Sequence, residues 1–170
     1  MRPSSVVLWS RASLVAMWCA GLVQLAILSQ VLPEQVASHF DRAGRVDGWS
    51  SRGGFVVALV LFETFLTAVF LGAGELILRV PRTWINLPGK GYWLAPERER
   101  KTRATLMRDL ATIGLSTMAL VFFLVHECYA LSTGLQRDGH RLGTAVVIGL
   151  VVVLGWVGLL IRRYSRRPRS

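Results

Sequence analysis

The chain holds 170 residues, 52% of them hydrophobic and only 18% charged, where a soluble domain carries about 25% charged residues. Twenty basic residues against ten acidic give a formal net charge of +10. This composition excludes an ordinary soluble domain. With no nucleophile beside a base, no phosphate-binding glycine loop and no dinucleotide fingerprint, neither an enzyme nor a cofactor is expected.

Four apolar runs near the roughly 20 residues that cross a bilayer predict an all-α, polytopic membrane protein. The expected organisation is one domain over residues 1–170, with spans at about 12–32, 54–80, 106–131 and 142–161 in a compact bundle. The first run follows Arg2 and Arg11 as a signal peptide would. Its apolar core exceeds the roughly 7–15 residues of a signal h-region, which makes it an uncleaved anchor. Within it Ala12, Ala16, Ala20 and Gln24 recur every four residues and share one helix face. That face is expected to pack against another helix, because small residues let backbones approach in lipid. Thr64, Ala68 and Gly72 form a similar stripe in the second span, and Ala145 with Gly149 a weaker one in the fourth. Cys19 and Cys128 fall in different spans at different depths, so no disulfide is expected.

Pro33 ends the first span and opens the 33–53 loop, whose centre reads SHFDRAGRVDGW. Gly44 and Gly48 permit tight turns there, and Trp49 suits a membrane interface. Glu63 follows in the second span, about nine residues or roughly 14 Å from its start. Glu75 near the other boundary has Arg79 at i+4, a simple ion pair.

In the 81–105 loop Trp84, Tyr92 and Trp93 alternate with Arg82 and Lys90 as an interfacial aromatic belt does. Pro96, then Glu97 and Glu99, starts a helix that is expected to continue into the third span with Arg98, Arg100, Lys101 and Arg103 exposed. Asp109, Ser116, Phe123 and Glu127 give that span one partly polar face towards the bundle, and His126 with Glu127 lies about one turn from its end.

Fifteen of the twenty basic residues fall on the side of the N-terminus, the 81–105 loop and the 162–170 tail; Arg42, Arg45, Arg52, Arg137 and Arg141 are the other five. The positive-inside rule therefore places both termini in the cytoplasm and the His39 loop outside. The same distribution assigns the positive charge to topology and to anionic lipids, and no nucleic-acid partner is expected.

Each ionisable group inside a span costs a few kcal/mol unless partnered. Glu63, His126 and Glu127 are either held by ordinary hydrogen bonds, Glu63 to Gln24 for instance, or roofed by His39, Asp41 and Asp47 into a proton- or metal-responsive cluster. Which metal such a cluster takes is left open, and no zinc-enzyme spacing is present.

The run LPEQVASHFDRAGRVDGW resembles a bacterial membrane domain family of unknown function, through Leu32, Pro33, His39, Phe40, Asp41, Gly44, Asp47 and Gly48. The same pattern is similar to the N-terminal part of SdpI-type proteins, which give bacteria immunity to a secreted membrane-active toxin. The run NLPGKGYWLAPERER resembles a second signature, carried by Asn86, Leu87, Pro88, Tyr92, Trp93, Leu94, Ala95, Pro96, Glu97 and Arg98. The resemblance implies a protein of the bacterial inner membrane with an accessory, immunity or sensing role, facing a membrane-active toxin or another membrane protein. The alternative is a homo-oligomeric carrier coupled to protons or cations through Glu63 and the outer His and acid residues.

Overall fold

The computed structural model describes residues 5–136 and 139–166. The expected tail 162–170 therefore lies outside the described residues beyond Arg166, as does Arg137. Helix α1 (Ser5–Val31) leads into an antiparallel hairpin, β1 (Gln35–Phe40) and β2 (Val46–Ser51). Helix α2 (Arg52–Arg79), a 3-10 turn at Arg82–Trp84 and the short helix α3 (Lys90–Trp93) come next. Helices α4 (Glu99–Ser132) and α5 (His140–Ser165) complete the chain.

Helices α1, α2, α4 and α5 are each long and apolar enough to cross a membrane. Their limits follow local chemistry. The Ser51 hydroxyl caps α2 by accepting from Gly54 N at 3.2 Å. Val80, next to Pro81, is forced out of helical geometry to φ −63°, ψ 148°. Pro96 stands three residues ahead of α4, and the helix runs unbroken through the third span, as its sequence predicts.

Helices α1, α2 and α4 contact one another, whereas α5 packs mainly on α4. Only Tyr164 of α5 is buried. Three apolar layers fill the molecule. One, of Leu25, Leu28, Leu32, Val36, Phe55 and Val125, lies beneath the hairpin. Leu14, Ala111 and Met118 form the middle layer. Ile85, Leu87, Leu94, Leu106 and Tyr164 close the opposite end.

Of the expected packing face of α1 only Gln24 engages another helix, its amide reaching Phe122 O of α4. Ala12, Ala16 and Ala20 are exposed, and α1 instead buries Leu14, Gly21, Leu25 and Leu28. Thr64, Ala68 and Gly72 are exposed as well; Thr64 accepts a hydrogen bond from Trp18 Nε1 at 3.1 Å. The close approaches occur where a glycine meets a large side chain, namely Gly21 against Glu63, Gly74 against Met107, and Gly114 against Phe70 and Leu14. The fourth-span pair does pack, with Gly149 seated on Leu120.

Arg103 is buried, contrary to the exposed position its sequence suggested. Its guanidinium donates to the carbonyl oxygens of Ile77 and Val80 at the end of α2 and to Glu99 Oε1, tying α2 to α4. Glu75 likewise does more than meet Arg79, because Arg11 of α1 also pairs with it.

Candidate functional site

The loop of the first motif is a hairpin, and most of its motif residues have identifiable structural work. Asp41 Oδ1 accepts from the backbone N–H groups of Ala43 and Arg45 at 2.8 and 2.9 Å, and Oδ2 accepts from Arg45 Nε at 2.8 Å. Gly44 takes φ +76°, a left-handed conformation that glycine adopts without Cβ strain. Gly48 stands opposite His39, and a Cβ there would lie 2.7 Å from His39 Cβ. Phe40 pairs with Val46 and is half-buried.

The register shifts around His39, which is paired with Gly48 while Ala37 is paired with Trp49. Ser38 is thus an extra residue that breaks the two-residue alternation. As a result Val36 and Ala37 are both fully buried while Ser38 and His39 are both exposed. The buried pair docks on the bundle, where Ala37 N donates to Ser132 Oγ at 2.9 Å. At the tip, Gly139 N donates to Gly44 O at 2.9 Å, joining the hairpin to the connection before α5. One face of the hairpin is therefore pinned. The other carries His39 and Asp47, paired Nδ1 to Oδ1 at 2.5 Å, with Arg42, Arg45 and Trp49 also exposed.

The two N–H donors and the guanidinium, with the Arg45 backbone contact foremost, hold the Asp41 carboxyl below its ordinary value. A group whose folded value is depressed stabilises above its unfolded value, about 3.9 for Asp, and loses that contribution as pH falls through the folded value. The hairpin tip is accordingly expected to be constant between about pH 5 and 8 and to loosen only in stronger acid. Hydrogen exchange at the Ala43 and Arg45 amides, corrected for intrinsic rates, is expected to show protection falling below about pH 4. Asp41→Asn should remove that pH dependence.

Inside the bundle, Glu63 and Glu127 are each 3% exposed. Oε2 of both carboxyl groups lacks a hydrogen-bond partner among the described residues. Glu63 lies against Gly21 of α1, and its own backbone oxygen accepts from the buried Thr67 hydroxyl at 2.8 Å. Gln24 does not reach Glu63; its Nε2 donates to Phe122 O at 2.9 Å. Glu127 stands five residues beyond Phe122 along α4, a rise of roughly 7.5 Å towards the hairpin.

The expected roofed cluster does not form. His39 and Asp47 engage each other, Asp41 is taken by Arg45, and His126 is exposed with its ring 6.1 Å from that of Tyr129. No group of three His, Cys, Asp or Glu suited to a metal occurs among the described residues. The partly polar face of α4 does turn to the bundle, Asp109, Ser116 and Phe123 towards α5 and Glu127 inwards. Asp109 pairs with Arg163 of α5, Ser116 and Phe123 line a groove with Ala145 and Gly149, and only Glu127 is enclosed. Cys19 and Cys128 are both free.

The second motif plugs the opposite end. Leu87 and Leu94 are buried beside Tyr164, and Gly89 at φ +67° turns the chain into α3. Trp93, rather than standing in a lipid-facing belt, donates from Nε1 to Tyr164 O at 2.9 Å, while Thr102 Oγ1 donates to Trp93 O at 2.7 Å. Arg98 stacks over Tyr92 at 4.2 Å. Ala95 O accepts the N–H groups of Arg98 and Glu99 as α4 begins. Asn86, Pro88, Pro96 and Glu97 remain exposed, and of the three belt aromatics Trp84 alone is exposed. Gly114 and Tyr164 carry no sequence signal of their place in the packing, and for Arg103 the spacing of four from Glu99 is the one available sign of a partner.

These features define a multi-pass helical protein with a hairpin cap at one end and a basic, aromatic plug at the other. Residues 14–62, covering most of α1, the hairpin and the start of α2, match the family model described as Domain of unknown function (DUF1648). No curated protein and no solved structure matches the chain.

Proposed function

We propose that the protein is a non-enzymatic component of the bacterial cytoplasmic membrane in which the hairpin is a recognition element, serving an accessory, immunity or sensing role of the SdpI type. The reading rests on one observation: the hairpin is held to the bundle by Val36, Ala37 and Gly44 while His39 and Asp47, paired with each other, stay exposed on its other face. Asp41, Gly44 and Gly48 are accounted for by the hairpin's own geometry. His39 and Asp47 are exposed at the surface, and such residues are the ones a partner meets.

The basic-residue asymmetry sets the orientation, with this end outside, where a secreted membrane-active toxin arrives. The test is survival of cells expressing the protein under a panel of such peptide toxins. Protection is expected from the wild type and is expected to be lost in His39→Ala/Asp47→Asn at unchanged membrane abundance. Full protection by that double variant would overturn the assignment.

A further inference from the structure

The end of the molecule opposite the hairpin carries two adjacent cavities of about 290 Å³ each that share Arg163. The first lies between the second motif and α5, with Tyr92, Arg98, Lys101 and Thr105 around its rim. The second continues along α5, where Arg162 and Arg166 stand above Trp156, Leu159 and Leu160. Three cations line each cavity, Arg163 being common to both, and the neighbouring carboxylates are Asp109, bonded to Arg163 at 2.5 Å, and Glu97, 3.4 Å from Arg98. Lys101, Arg162 and Arg166 make no ion pair among the described residues.

The walls are built rather than incidental. Arg98 is fixed over the Tyr92 ring, Trp93 is bonded to Tyr164 O, and Asp109 orients Arg163. A cationic rim above an apolar wall is the chemistry of a phosphate group carried on hydrocarbon.

We infer that these adjoining cavities bind the headgroup of an anionic phospholipid, its phosphate at Arg163 between them, with Arg98 and Lys101 on one side and Arg162 and Arg166 on the other, and its glycerol and upper chains along Trp156, Leu159 and Leu160. Free phosphate shares the cationic half of this site but has no use for the apolar wall, and that difference favours the lipid. The site is independent of the hairpin, so failure of either assignment leaves the other standing.

The experiment uses the purified full-length chain and follows binding of phosphatidylglycerol, phosphatidylcholine and inorganic phosphate by native mass spectrometry and by thermal shift. Phosphatidylglycerol is expected to bind in preference to phosphatidylcholine. Arg98→Gln/Lys101→Gln/Arg166→Gln should weaken it at least about tenfold, since a single charge-assisted hydrogen bond to the phosphate is worth about that much. Arg79→Gln/Arg82→Gln/Arg100→Gln removes the same charge from the same end outside the cavities and should leave binding unchanged. Should the first triple variant unfold, Lys101→Glu, at an exposed position, serves in its place with loss of preference expected. Equal losses from the two triple variants, or no preference over phosphatidylcholine, would overturn the site. Displacement of lipid by millimolar inorganic phosphate would overturn the choice of lipid and assign the site to free phosphate.

Discussion

Arg103→Met is expected to destabilise the protein by about 3–5 kcal/mol, the scale for breaking one side of a buried charged network. Arg103 Nη2 donates to Val80 O and Glu99 Oε1 at 2.9 and 2.7 Å, and Nη1 donates to Ile77 O. The carbonyls at the end of α2 have no helical partners of their own and carry the negative end of the helix dipole. Removing the guanidinium strands them together with Glu99. Arg103→Lys should recover only part of the loss, because one ammonium lacks the planar fork that reaches three acceptors on two helices. Thermal unfolding in detergent, read alongside Glu99→Gln, checks this; an unchanged midpoint for Arg103→Met would show that the network contributes nothing net.

The second large effect is expected at Gly114, where α4 meets α1 and α2. A Cβ there would lie 2.7 Å from Phe70 Cγ and 3.0 Å from Leu14 Cδ2, and Leu14 is fully buried. Leu14 has no open direction to retreat, and the contact on Phe70 falls at the root of its ring rather than at a flexible tip. Gly114→Leu is therefore expected to cost about 3 kcal/mol or more through overpacking, well beyond the roughly 1 kcal/mol gained by replacing a helical glycine. Gly72→Leu is the internal control: nothing lies within 4 Å of its Cβ position, and stability should be equal or slightly higher. The contrast, again by thermal unfolding in detergent, separates a contact glycine from one that faces the surroundings.

The same contrast explains what could be read from the sequence. The number of long apolar helices was legible because length and apolarity are local properties, and the four helices bear it out. Which face of each helix meets protein was not. Lipid is as apolar as leucine, so the buried and outer faces of a span carry similar residues, and the i+4 spacing of Ala12, Ala16 and Ala20 says only that they share a face. The exposed face is theirs, while Gly21 and Leu25 lie on the buried one.

The hairpin escaped notice because the extra residue at Ser38 disrupts the alternation that marks a strand, giving two buried residues followed by two exposed ones. Its motif residues were nonetheless the right ones to single out, since Asp41, Gly44 and Gly48 build the turn and pairing. The expected union of His39, Asp41 and Asp47 with Glu63 and Glu127 failed for a different reason. Each loop acid finds a cationic or imidazole partner on the hairpin itself, while the two glutamates are enclosed by α1, α2 and α4. The spacing of Glu99 and Arg103 signals an ion pair but not burial, because the two carbonyl acceptors that enclose Arg103 belong to the end of α2, more than twenty residues earlier.

Recognition of an external toxin requires the exposed face of the hairpin to look outwards. In a Cys19→Ser/Cys128→Ser background, single cysteines at Ser38 and Ser170 can be treated with a membrane-impermeant maleimide on intact cells and again after permeabilisation. Labelling of position 38 on intact cells, with position 170 labelled only after permeabilisation, is the expected result. Labelling of position 170 but not of position 38 on intact cells would place the hairpin in the cytoplasm and contradict the proposed recognition of an external toxin.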